Sequence, residues 1–296
     1  MRTVECGWGG ERRTRRVRPT RLRRGFGGQA RLAALLAALL GWVGSVAAAE
    51  MVRVPAGEYR ALLREAGEPV SVAVAAFELD ERPVTNGEFL EFVRENAKWR
   101  RSRVSSLFAD TGYLAHWADD LELGERAPAE APVVRVSWFA ARAYAAWKGK
   151  RLPTTAEWER VAAVGFTTED GATEREYRAF VLGWFSRPTP EPVPAAGVGR
   201  ENLLGVRDMA GLVWEWVSDF NTALVSGESR ADTGPDRNLF CGAGAVSARD
   251  LENYPAFMRA GFRSSLRANY VVPNLGFRCA RDGRGGEGRR EESVTY

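Results

Sequence analysis

The chain has 296 residues, 45% of them apolar, with ten tryptophans, three cysteines and a single histidine; this suits one large domain or two small ones with a real core. Its formal charge of +4 says little about partners, because residues 1–49 hold ten Arg and two Glu, a net of +8, which leaves −4 on the rest. The basic balance sits in that first segment, so the remainder gives no support for nucleic-acid binding.

Residues 1–31 are rich in arginine, and the apolar run LAALLAALLGWVGSV follows at 32–46. AAAE comes next, with small residues at Ala47 and Ala49. A basic segment, a short apolar run and an A-x-A site together predict a signal peptide over 1–49, cleaved after Ala49. The run falls short of the ~20 residues a spanning helix needs, so no stable membrane span is expected after cleavage. The expected location is periplasmic or secreted. Cys6 leaves with the leader, and Cys241 and Cys279 remain. Two thiols in an oxidising compartment are most simply a disulfide. The competing reading is a copper or redox site, which requires Cys241 to be free.

MVRVPAG, from Met51, opens the domain as a short strand running into a turn, and VSVAVAAFELDERPVT alternates as strands do. TNGEFLEFVREN starts a helix, with Thr85 or Asn86 as its cap and Phe89, Leu90 and Val93 at helical spacing. From Ala97 to Ala131 no period is sustained, which predicts a long ordered loop. VSWFAARAYAAWKG is the clearest helix, capped by Ser137 and closed by Gly149. LPTTAEWERVAAV is another, with Thr154 or Thr155 as cap and Glu157 as capping-box partner. Residues 186–200 form a Pro- and Gly-rich loop, and after AGLVWEWVSD the chain reads as short strands and turns that end in the strand LGFRCA. Residues 283–296 carry glycine and charge with almost nothing to bury, as a disordered tail does. Helices early and irregular β structure late predict an α+β fold with much loop.

Five blocks then occur in a telling order: MVRVPAGEY, ERPVTNGEFLEFV, PVVRVSWFAARAYAAWKGKRLPTTAEWERVA, LLGVRDMAGLVWEWVSD and NLGFRCA. In this the chain resembles the formylglycine-generating enzyme, or sulfatase-modifying-factor, family over residues 51–282. The resemblance implies one C-type-lectin-like domain, residues 50–282, with low regular secondary structure. Its best-known members oxidise a sulfatase cysteine with a copper ion held by two cysteines, a few residues beyond a glycine-rich segment. CGAG, from Cys241, looks like that segment, but no cysteine follows it, and Ser247 stands about where the first thiol would be. Serine cannot hold Cu(I), which wants soft thiolates. Family members with GNVWEW hold calcium near that motif; here Leu212 replaces the Asn, so Glu215 is left as a weakened calcium candidate. Residues 159–164 offer no cysteine to pair with the GFRC thiol, which leaves Cys241 as the partner the resemblance implies for Cys279. The stretch from Phe240 to Ala280 is also similar to exported, NirV-like members associated with copper nitrite reductase.

The candidate groove consists of Trp214, Glu215, Ser247, Arg249, Asp250, Arg263 and Asn274. Its charges can grip a peptide or a carboxylate; the alternative is a solvated face or buried ion pairs. Arg278, inside a strand, leans structural. An acid between Trp214 and Trp216 is costly unless paired. His116 could serve as a ligand beside Asp119 and Asp120, but a lone histidine is more often a loop residue. P-loop, Rossmann, HExxH, CxxC and GxSxG patterns are absent from the sequence. Two functions follow as expectations. The first is an exported accessory or maturation factor, serving an exported protein or peptide client such as a copper oxidoreductase. The second is an oxidoreductase that modifies a peptide or small molecule in the same groove.

Overall fold

The computed structural model describes residues 49–60, 71–221 and 254–283. The first strand, β1 (Met51–Val54), and β4 (Phe77–Asp80) pair antiparallel, and β7 (Ala280–Asp282) lies on the other side of β4. Val54 faces Phe77 and Leu79 faces Ala280 across these ladders. Two smaller sheets flank them: β2 (Gly57–Arg60) with β3 (Ser71–Val74), and the short parallel pair β5 (Trp214–Glu215) with β6 (Leu275–Gly276). This is mixed helix and strand with much irregular chain, as the sequence predicts. Among the described residues no helix is long and apolar enough to cross a membrane.

The helices form where the sequence places their caps. Helix α1 (Asn86–Glu95) starts at Thr85, which forms a reciprocal capping box with Glu88. Ser137 caps α2 (Trp138–Trp147) by accepting from the Ala140 N–H at 3.2 Å. Thr154 and Glu157 form a second capping box at the head of α3 (Thr155–Ala162). Gly149 follows α2 with φ +66°, a left-handed turn that glycine adopts without penalty. The two helices α1 and α2 meet through Phe89, Phe92 and Tyr144, and Phe277 packs edge-on to Phe89 with centroids 6.1 Å apart. Residues 97–131 are ordered without a regular element longer than the 3-10 turn Ala97–Trp99, and Tyr113, Leu114 and Trp117 in them are buried in the core.

The structure corrects two expectations. The chain after AGLVWEWVSD is not all strands and turns: Tyr254–Ser264 is a helix, α5. A further helix, α4 (Arg175–Phe185), lies where the sequence carries no clear period. LGFRCA is not one strand either. Its start pairs with β5 and its end runs into β7, while Phe277, Arg278 and Cys279, all fully buried, cross between the two sheets. Gly276 is needed at this crossing, because a Cβ there would stand 2.5 Å from the Val133 carbonyl oxygen.

Candidate functional site

Three of the groove candidates come together, but as scaffold. Glu215 is 5% exposed, and Arg278 is fully buried beside it. Arg278 donates through Nε to Oε2 and through Nη2 to Oε1, both at 2.8 Å, and the Trp158 indole donates to Oε2 at 2.7 Å. A fork on both oxygens plus an indole N–H satisfies the carboxylate. The weakened calcium assignment to Glu215 is therefore corrected: a cation there would have to displace a guanidinium. Next to this pair, Glu159 takes Arg259 at 2.7 Å and Arg263 at 2.6 Å, and both guanidiniums lie against the Trp158 ring. Burial works to raise the Glu159 pKa, and Arg259 and Arg263 outweigh it, holding it down to about 2. Arg263 is thus spent on a buried pair. Trp214 stacks on Phe262 with centroids 4.3 Å apart. The void among these groups is about 10 Å³, no more than a water needs.

Asn274 adjoins this cluster, its carbonyl accepting from the Trp214 N–H at 2.8 Å, and it also lines a separate cavity of about 320 Å³. Ser247, Arg249, Asp250 and Cys241 lie outside the described residues. The cavity is built from distant segments. Asn86, the first residue of α1, turns its Nδ2 toward the carbonyls of Pro128 and Ala131, at 3.0 and 3.2 Å. Those carbonyls fix the amide orientation, so Asn86 Oδ1 is the acceptor for Trp117 Nε1 at 3.0 Å and for His116 Nε2 at 3.3 Å. His116 therefore carries its proton on Nε2, and Nδ1 is a bare lone pair. Nδ1 is buried, and no group among the described residues meets it. Burial, then Arg135 and Arg126, lowers the His116 pKa to about 4, so the ring is neutral near pH 7. On the opposite side, Arg126 pairs with Glu191, and Asn274 Nδ2 donates to the Thr189 hydroxyl at 3.2 Å. Thr189 and Pro190 also wall a second, more apolar cavity of about 290 Å³ with Phe180, Trp184 and Leu212.

Sequence reasoning named Asn274 and weighed His116 as a loop residue; it missed Asn86, Arg126, Arg135, Thr189 and Glu191. Only the lone histidine beside a tryptophan hints at them: Asn86 reads as a helix cap, and the others sit in segments without a period.

Cys279 carries a free and fully buried thiol, and Cys241, its expected disulfide partner, lies outside the described residues. Cys279 sits in the core, where its N–H donates to Asp80 Oδ2 at 2.9 Å. Burial, and then the Asp80 charge, pushes the thiol pKa well up, so it is held protonated. A Cu(I) pair needs accessible thiolates, and this thiol does not fit one. Alkylation of the native protein is expected to spare Cys279, at a rate at least ~100-fold below that of an exposed thiol. Denaturation without reductant is expected to release it. Peptide mapping that finds Cys279 oxidised in that sample would restore the staple.

Comparison with known proteins follows the same line. The family model described as the sulfatase-modifying factor enzyme 1-like domain matches residues 43–283. The chain is 30% identical to the formylglycine-generating enzyme of Streptomyces coelicolor, over 78% of this chain and 88% of that protein. It is also 30% identical to the inactive C-alpha-formylglycine-generating enzyme 2 of Bos taurus, over 78% of this chain and 87% of that protein. The serine/threonine-protein kinase Pkn1 of Chlamydia trachomatis serovar L2 is 29% identical over 79% of this chain, and the chain spans 38% of that kinase's length. The chain belongs to the sulfatase-modifying factor enzyme 1-like, or formylglycine-generating enzyme, family.

Proposed function

We propose that this chain is an exported accessory or maturation factor of its family, which works by holding a client and not by thiol–copper chemistry. One observation carries the reading. Beyond the leader the sequence has two cysteines, and Cys279 is locked in the core. That leaves Cys241 without a second accessible thiol, and Cu(I) chemistry of the family's type needs a soft pair. Similarity to a mammalian relative named inactive supports a member that has left the reaction. Export rests on the basic leader and the A-x-A site at Ala47 and Ala49. An exported copper oxidoreductase as client rests on the similarity of the C-terminal third to NirV-like members.

Incubation with Cu(I) and a sulfatase-type cysteine peptide tests it. The expected outcome is an unchanged peptide mass. An aldehyde mass shift above the protein-free control would overturn the reading. The cavity beside His116 favours a second reading, an oxidoreductase acting on a small molecule there. Turnover of a bound small molecule by the purified protein with a stoichiometric redox centre would select it.

A further inference from the structure

We infer that the turn at residues 105–108 docks on an anionic lipid surface, with Leu107 and Phe108 entering the apolar phase and Lys98, Arg103 and Arg142 meeting the lipid phosphates. This goes beyond the accessory reading and does not depend on it.

The apolar half comes first. Leu107 is 77% exposed, more than any other large apolar side chain among the described residues, and Phe108 next to it is 45% exposed. Apolar residues scattered singly over a surface are ordinary, but this pair is continuous with more apolar surface. The Phe108 ring lies 5.3 Å from the half-buried Phe139 and 6.1 Å from Trp99, and Trp138 meets Phe139 at 5.5 Å. The turn is held from within. The Phe108 and Ala109 N–H groups donate to the Ser105 carbonyl at 2.9 and 3.1 Å, and Ala109 is buried in the core. The tip is therefore presented with little ordering left to do on binding. The cavities of about 320, 290 and 10 Å³ are lined by other residues.

Charge selects the occupant. Residues 94–103 hold five cations and one acid, a net of +4, while residues 50–296 together carry −4. That asymmetry turns this cluster toward an anionic surface. Lys98 Nζ stands 5.8 Å from the centre of the Trp99 ring, and the Arg142 guanidinium 5.3 Å from that of Trp138, so both cations border the aromatic surface. Arg103 lies one turn before the tip, its N–H on the Arg100 carbonyl at 2.9 Å. Lys98, Arg103 and Arg142 make no ion pair among the described residues. The nearby acids are engaged: Asp120 accepts from the Ser102 N–H at 2.8 Å, and Glu95 from the Trp147 indole at 3.0 Å.

An apolar tip among aromatic rings and long-stemmed cations matches the layers of a lipid interface. Nucleic acid would use the cations and leave Leu107 in water. An acidic protein would need a pocket shaped for the tip, whereas acyl chains part around it.

The test places an environment-sensitive fluorophore on Leu107→Cys in the full chain, with Cys6→Ser and Cys241→Ser to remove the other labelling sites. The label reads the tip itself, whatever the basic leader does. Vesicles of phosphatidylcholine alone, or of an equimolar mixture with phosphatidylglycerol, are added. With the anionic vesicles the emission is expected to shift to the blue, to be quenched by brominated acyl chains and to recover at high salt. The same label on Val198→Cys, exposed outside the patch, is expected to stay unchanged. Lys98→Gln, Arg103→Gln and Arg142→Gln together are expected to raise the lipid concentration at half-maximal shift at least ~10-fold, since each cation near an anionic surface contributes about five-fold. Their melting temperature is expected to hold, because none of the three makes a side-chain hydrogen bond among the described residues. No shift at position 107, an equal shift with phosphatidylcholine alone, or an equal shift at position 198 would each overturn the inference. So would a shift that grows with protein concentration in the absence of lipid, which identifies a second copy as the occupant. A shift with polyglutamate and none with vesicles would give the patch to an acidic protein instead.

Discussion

Replacing Arg278 by alanine is expected to remove about 3–5 kcal/mol of stability, the range for breaking a buried ion pair. That is a large share of the roughly 5–15 kcal/mol a domain has. Arg278 is fully buried, and each of its donor nitrogens is used. Nε and Nη2 hold Glu215; Nη1 reaches the carbonyls of Asp80 and Glu81 at 3.2 and 3.1 Å; Nη2 also reaches the Arg207 carbonyl at 2.9 Å. The side chain thus ties the end of β4, the loop at Arg207 and β5 to one point. Alanine would leave the Glu215 carboxyl group 5% exposed and, among the described residues, with only the Trp158 indole to satisfy it. Lysine would not restore the arrangement, because an ammonium cannot fork across a carboxylate and reach three carbonyls as well. The double variant Arg278→Met, Glu215→Leu removes both charges and is expected to be more stable than Arg278→Ala alone. Urea unfolding followed by circular dichroism measures all three. A loss below ~1 kcal/mol for Arg278→Ala, the scale of an exposed pair, would show that the charge is hydrated and the pair is not structural.

Local signals in the sequence account for much of the fold. The capping-box role of Glu157 is read from the sequence, and Thr85 and Thr154 are each one of the two caps the sequence offers for their helices. Helix α5 was hidden for a definite reason. Its buried residues are Arg259 and Arg263, one turn apart, so the face it turns inward is charged and apolar periodicity says nothing about it. The same pair explains why Arg263 looked like a groove residue. A buried guanidinium on Glu159 and one waiting for a ligand are the same letter in a sequence. The cavity was illegible for another reason. Asn86 and His116 are 30 positions apart, and Asn274 meets Thr189 across 85. Such juxtapositions are set by tertiary packing, which no local window reports.

Acidification between pH 6.5 and 4 is expected to destabilise the native protein by ~3 kcal/mol through His116 alone. The folded pKa is lowered from 6.5 to about 4, first by burial and then by Arg135 and Arg126. Between those values the unfolded chain binds a proton that the folded chain refuses. The stability His116 contributes as a neutral ring is therefore complete above pH 6.5, declines as pH falls and is lost below about 4. Other groups act in neighbouring windows. Glu159, held down to about 2, adds acid sensitivity of the same sign below the ordinary carboxylate range, and Asp80, raised by burial, acts in the opposite direction. A variant separates the terms. His116→Gln keeps an N–H donor for Asn86 Oδ1 and cannot titrate, so its stability is expected to fall less steeply than the wild type's over this range. Urea unfolding of both proteins at pH 7, 5.5 and 4.5 reads the difference. Parallel decline of the two would mean that His116 titrates alike in the folded and unfolded chains, and that its ring is hydrated where the structure buries it.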